Sequence, residues 1–434
     1  MGPASPSRFV ALRSRNFRLI WIGLLVSYAG SRMETVAILW QVSLLVAPDR
    51  KALALGFVGL ARVIPIVIFS LVSGVAADRV DRRRLMLVTQ STMTVLAGIL
   101  AWLTFHGVSG PEPIYILSAL TAAAGAFDMP ARQALYPNLV PREHLPNAIS
   151  LNTIMFQIAS VAGPGLAGIV IAFAGVGWAY IFNTLSFLVV IVALLMMRDV
   201  PPLAEPDPSQ PRPGAFRAAL DGLHFVFTSP MIRSTMLLDF FATFFASATT
   251  LLPIFAQDIL HVGARGYGWL YAASSAGALV ASLGMVRWVD EIDRRGAVLI
   301  AAICAYGLAT ICFGISRSFW LTFACLACSG AADAVSTVLR NVIRQLETPD
   351  EIRGRMTGVN MVFFQGGPQL GELEAGLVAN WFGAPLSVVV GGLGCLAATG
   401  WVVRTTPGLR KYRREIAPGD AVSPRGRYVG RPPR

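Results

Sequence analysis

From Leu145 to Met197 the chain contains no charged residue. A stretch that long cannot be a strand, and buried inside a water-soluble domain it would need a core far larger than this chain can build. As helix it is enough to cross about 30 Å of hydrocarbon twice, with Gly175-Val-Gly177-Trp178 supplying the turn. Similar windows recur along the sequence, which is 55% hydrophobic and 14% charged over its 434 residues. Helices satisfy their own backbone in lipid and open sheets do not. The fold class is therefore an all-α polytopic membrane protein.

Taken in order, spans are expected at Leu19–Ala47, Ala52–Ala77, Leu85–Phe105, about Ile114–Leu135 and two within Leu145–Met197, then near 234–257, 266–286, 297–316, 318–341, 356–382 and 383–403. That makes twelve. The domain plan is a cytoplasmic tail over 1–18, a six-helix bundle over 19–197, a linker over 198–230, a second bundle over 231–403 and a basic, disordered tail over 404–434. Pro201, Pro202, Pro206, Pro208, Pro211 and Pro213 mark the linker. After them, Phe216, Leu220, Leu223 and Phe227 have the spacing of a helix lying along the membrane surface.

The halves repeat. A shift of 208 positions aligns 132–176 with 340–384 and makes eleven pairs identical, including Arg132/Arg340, Asn152/Asn360 and Gly168/Gly376. A shift of 212 aligns Asp78-x-x-Asp81-Arg82-Arg83 with Asp290-x-x-Asp293-Arg294-Arg295. Two six-span halves joined by a linker are the pattern of a parallel internal repeat in a transporter. Thirty of the 36 Lys and Arg fall on one face of this arrangement and four on the other, with Arg32 and Arg62 inside spans. The positive-inside rule then puts both termini in the cytoplasm. Because the formal charge of +12 is spread over span ends, it anchors topology and does not form a nucleic-acid surface.

No enzyme chemistry is visible. The four histidines stand apart, no phosphate-cradling loop occurs, and the five cysteines lie within spans as packing residues, Cys325-x-x-Cys328 included. Neither a cofactor nor a metal is expected.

The motifs point to a family. Gly74-Val-Ala-Ala-Asp78-Arg79-Val-Asp81-Arg82-Arg83 resembles the loop between helices two and three of the major facilitator superfamily, with Asp81 where that pattern has glycine. Ala159-Ser-Val-Ala-Gly163-Pro164-Gly165-Leu-Ala167-Gly168 resembles the antiporter motif of drug exporters, with Ala159 and Ala167 replacing two glycines. Phe127-Asp128-Met-Pro130-Ala-Arg132 and Arg353-Gly354-Arg355 leading to Gly371-Glu372 are similar to the branch that includes siderophore and macrolide exporters. The resemblance implies two six-helix bundles around a cavity, in a monomer of the inner cell membrane, and a proton-driven exporter of a small amphipathic compound. An uptake permease or lysolipid flippase of the same fold is the alternative, and a receptor or scaffold the remaining one.

It also implies candidate site residues. Gly74, Asp78, Arg79, Arg82, Arg83 and Arg353, with Asp290, Asp293, Arg294 and Arg295 in the second half, would gate the cytoplasmic end. Asp78 would accept hydrogen bonds at the helix end near Arg353. Acids inside spans are costly and so are functional candidates: Asp239, Asp128, Asp333 and Glu34. Asp239 ranks first as proton site because no basic residue lies within a turn of it. Asp128 is second, with Arg132 expected to reach water, and Asp333 third. Glu34 is expected to form a buried ion pair with Arg62, at matching depth on the neighbouring helix, with Arg32 as rival partner.

Overall fold

The computed structural model describes residues 10–198, 223–246, 248–289 and 291–413. Six helices form the first half: α1 (Arg15–Leu45), α2 (Lys51–Arg79), α3 (Arg82–Phe105), α4 (Glu112–Leu135), α5 (Leu145–Ala174) and α6 (Val176–Met196). The second half holds α7 (Pro230–Phe245), α8 (Gly263–Trp288), α9 (Arg295–Ile315), α10 (Phe319–Glu347), α11 (Asp350–Phe382), α12 (Ala384–Thr405) and a short α13 (Pro407–Lys411). Among the described residues there is no strand, and eleven helical stretches are long and apolar enough to cross a membrane. The twelfth expected span, α11, has 33 residues and is diluted by Glu372 and Glu374. Large side chains such as Phe173, Val286, Trp320 and Trp381 stand on the outside, as lipid-facing residues do.

Where the helices stop is set locally. Asp81 caps α3 by accepting from the Arg84 backbone N–H at 2.8 Å, which satisfies one of the orphan donors of a helix start. Its repeat partner Asp293 is exposed and makes no such cap. Gly175 ends α5 and Gly383 ends α11, both with φ near +90° (93° and 85°). They are one of the identical pairs of the repeat, and both sit where only glycine turns without strain.

The expected span plan differs from the structure at two places. The seventh span is not one helix: α7 stops at Phe245, and the chain continues through a 3-10 turn (Ala248–Leu251) and a π-turn (Phe255–Ile259). Leu251, Leu252 and Phe255 are buried there, and irregular backbone at membrane depth is tolerated when protein surrounds it. The carboxyl tail is not disordered from residue 404. α13 folds back so that Leu409 is buried and the Gly296 N–H donates to the Tyr412 carbonyl at 3.2 Å. The rest of that tail, and most of the linker with its surface helix, lie outside the described residues; 223–228 are helical.

The halves meet along two seams, α2 against α11 and α5 against α8. A glycine pair allows each. A Cβ on Gly376 would stand 2.7 Å from the Gly56 Cα, and one on Gly168 2.7 Å from the Gly268 Cα. Gly168 and Gly376 are a repeat pair at the shift of 208, and Gly56 and Gly268 at the shift of 212. The duplication therefore built both seams from one pair of glycine positions, which let helix backbones approach closely. Both glycine contacts lie toward the arginine-poor ends of their helices. There the halves are also joined by Lys51, whose ammonium meets the Asp258 carboxylate and the Gln257 side chain at 3.1 Å, and by Gln257 donating to the Ser43 hydroxyl at 2.7 Å. Tyr267 stacks on Trp40 and donates to the Val36 carbonyl at 3.2 Å. The arginine-poor end is closed.

Candidate functional site

Three ionisable side chains stand at one depth, two of them on the α2–α11 seam. Glu34 on α1, Arg62 on α2 and Glu372 on α11 are each ten or eleven residues, roughly 16 Å, from the arginine-poor end of their helix. Helical spacing puts Gly56, Gly59 and Arg62 on one face of α2, and Gly376, Glu372 and Gln369 on the face of α11 that meets it. At Gly59 a Cβ would fall 2.6 Å from the Gln369 carbonyl and 2.9 Å from Glu372 Oε2. The Glu372 side chain thus lies against bare backbone, and its Oε2 is buried without a hydrogen-bond partner.

The expected Glu34–Arg62 ion pair is not formed. Glu34 is buried and accepts from the Asn183 amide of α6, because its side of α1 packs on α6 while Arg62 faces α11. Arg62 has neither carboxylate in ion-pair contact, yet lies within electrostatic reach of both Glu34 and Glu372. The rival partner, Arg32, places its guanidinium over the Phe156 ring, 5.1 Å from the centroid.

The other three acids are held by arginines. Asp239, with no basic residue within a turn on its own helix, contacts Arg340 at 3.0 Å and Arg344 at 3.4 Å, both reaching from α10. Adjacency in sequence reports only a residue's own helix, and the partners here are a hundred positions away. Asp128 pairs with Arg132 and accepts from Thr89 at 2.8 Å and Gln90 at 2.9 Å. Arg132 does not reach water: it is buried, with its guanidinium 4.8 Å from the Tyr28 ring centroid. Asp333 is the accessible one, its side chain 41% exposed with Arg340 at 3.5 Å.

The repeat is legible in these networks. Tyr136 donates to the Asn152 side chain at 2.9 Å, and Arg344, 208 positions on, donates to that of Asn360. Of the expected gating residues, Arg82 donates to the Ala134 carbonyl at 2.8 Å and Arg83 to that of Leu195 at 3.2 Å. They thereby close the carboxyl ends of α4 and α6, where cations are favoured. Arg294 and Asp293 are exposed and Arg295 is buried. Asp290 and the side chains of Asp78, Arg79 and Arg353 lie outside the described residues, and Gly74 falls within α2.

The antiporter-like segment is a packing surface in this state. A Cβ on Gly163 would lie 2.6 Å from the Ala29 carbonyl of α1, Pro164 presents its carbonyl to Gly268 of α8, and Ala167 and Gly168 are buried. Glu372 is not among the acids expected from sequence, although it is a carboxylate within an expected span, because it ends a glycine-rich motif.

This arrangement of paired six-helix halves has known counterparts. The family model described as "transmembrane secretion effector" matches residues 6–418. The chain belongs to that family. Among curated proteins it is similar to the enterobactin exporters EntS of Escherichia coli O1:K1, at 28% identity, and of Citrobacter koseri, at 29%, over 86% of this chain and 85% of each relative. Among solved structures, a bacterial homologue of the human lysosomal transporter Spinster, inward-facing and occupied, superposes with a TM-score of 0.71 at 13% identity, covering 96% of this chain and all of that one. The nucleoside transporter NupG gives 0.68 at 14% identity, over 92% and 99%. As a secretion-effector transporter of major facilitator fold, the protein is a multi-pass membrane carrier and not an enzyme.

Proposed function

We propose that this carrier exports a small amphipathic compound, of the siderophore or macrolide kind, by alternating access in exchange for protons. The observation that carries the reading is the closed arginine-poor end, made by two glycine seams between repeated halves, with Glu34, Arg62 and Glu372 held just beneath it. With the arginine-rich face cytoplasmic, this is a state closed to the outside. Rocking of one half against the other about a site near mid-membrane would then present it to either side. The enterobactin exporters named above support the direction and the substrate class.

The charged hinges at 78–83 and 290–295 would govern the cytoplasmic end. Of the four acids picked from sequence, Glu34 alone has a neutral direct partner, Asn183, and lies within electrostatic reach of Arg62. Asp128 and Asp239 serve as arginine-bound struts, and Asp333, exposed beside Arg340, would contact substrate. Everted vesicles test the exchange: they should accumulate a catecholate siderophore or a macrolide when their lumen is acidified, and lose it on adding a protonophore. Accumulation indifferent to the protonophore would sink proton exchange.

A further inference from the structure

The setting of Glu372 is not that of a packing residue. It is a carboxylate at membrane depth, pressed on the Gly59 backbone, with Oε2 buried and without a donor. Around it stand Gly59 and Arg62 of α2, Gln369 of its own helix, and Tyr267 and Tyr271 of α8, while Glu34 of α1 shares Arg62 with it. Gln369 turns its carbonyl to the same spot, and its side-chain Oε1 is likewise buried and unpartnered. The site thus lines up acceptors and supplies one cation, Arg62, to two carboxylates. With both acids ionised the trio sums to −1, and one added proton makes it neutral.

We propose that Glu372 takes up that proton from the arginine-poor side, and that its neutralisation permits α2 and α11 to close there. Burying a bare charge against backbone is costly, so the ionised acid favours the state in which the seam is parted and water reaches it. The proton binds the carboxylate when the seam is open, is carried inward as the seam closes, and leaves to water on the arginine-rich side. No other bond is made or broken. Proton occupancy and seam closure are then linked equilibria, each shifting the other by the same factor. Glu34, held by Asn183, shares Arg62 with it and sets how much of that positive charge Glu372 receives. This rests on the proton exchange proposed above and supplies its residue.

The test needs no substrate and no gradient. In a cysteine-free background, Ala52→Cys reports the seam, because Ala52 is buried there with its carbonyl facing Gly376. Exposed Ser109→Cys corrects for the reagent's own pH dependence. The corrected labelling rate should fall on acidification from pH 8 to 6, by up to about tenfold per unit for one linked proton. It should be low and flat with Glu372→Gln or the smaller Glu372→Ala, and still fall with Glu34→Gln. A flat wild-type profile overturns the proposal. So does a wild-type slope retained in either Glu372 variant, or a slope abolished by Glu34→Gln alone. If seam labelling follows Glu372 while vesicles show no proton-driven export, the exchange reading fails and this site stands.

Discussion

The two seams share a skeleton and differ in chemistry. Each closes on a glycine pair, Gly56 with Gly376 and Gly168 with Gly268, with a hypothetical Cβ on Gly376 or Gly168 only 2.7 Å from the facing Cα. One turn deeper they part company. The α2–α11 seam carries Gly59, Arg62 and Glu372; the repeat-related positions on α5 and α8 are Tyr271, Ser274 and Pro164. What the duplication kept on both sides is what any rocking pair of halves needs, close backbone approach. What it kept on one side only is charge. For the proton exchange proposed above one titrating seam suffices, and a second would double the desolvation cost.

The largest effects are expected at the shared glycines. Gly168→Val and Gly376→Val should each abolish export, by a hundredfold or more, since backbone would have to move at either seam. Substrate efflux from cells, normalised to protein in the membrane, measures it, and a tolerated valine at one seam would mean that only the other bears the closure. The next largest effect should be asymmetric. Arg62→Gln leaves two acids without a cation and should cost at least about tenfold in gradient-driven export, 1.4 kcal/mol or more, whereas Ser274→Ala at the repeat position should change it less than twofold.

A third test concerns the struts behind the seams. Arg132→Met leaves Asp128 with only Thr89 and Gln90, while Arg340→Met leaves Asp239 with Arg344. Thermal unfolding in detergent should show the Arg132 variant losing about 3–5 kcal/mol, as broken buried pairs do, and the Arg340 variant distinctly less. Equal losses would mean that Arg344 does not compensate. The smallest effect belongs to Lys51, whose Asp258 partner is half exposed. Lys51→Met should cost about 0.2–1 kcal/mol and slow export less than threefold, with the difference shrinking at high salt.

How far these contrasts could be read beforehand follows from where the information resides. Span positions, the twofold repeat and the charge asymmetry come from runs and periods, which are local, and the pairs Gly175/Gly383 and Gly168/Gly376 reappear as matching joints and seams. The partners of the buried acids are not local. Nothing around Asp239 announces Arg340, and nothing around Glu34 says that it turns toward Asn183 and away from Arg62. Glu372 was visible as a letter but not as a site, because its meaning depends on Gly59, more than 300 positions earlier, leaving room for it.

The depth of the charged trio has an electrical consequence. Roughly 16 Å below the surface is about half of a 30 Å hydrocarbon layer. A proton reaching Glu372 from the arginine-poor side would cross about half of the membrane field, where a full crossing is worth about 2.3 kcal/mol per 100 mV. About 1 kcal/mol of a 100 mV potential would then act on the occupancy of this one carboxylate, so the carrier would sense voltage even with no pH difference across the membrane.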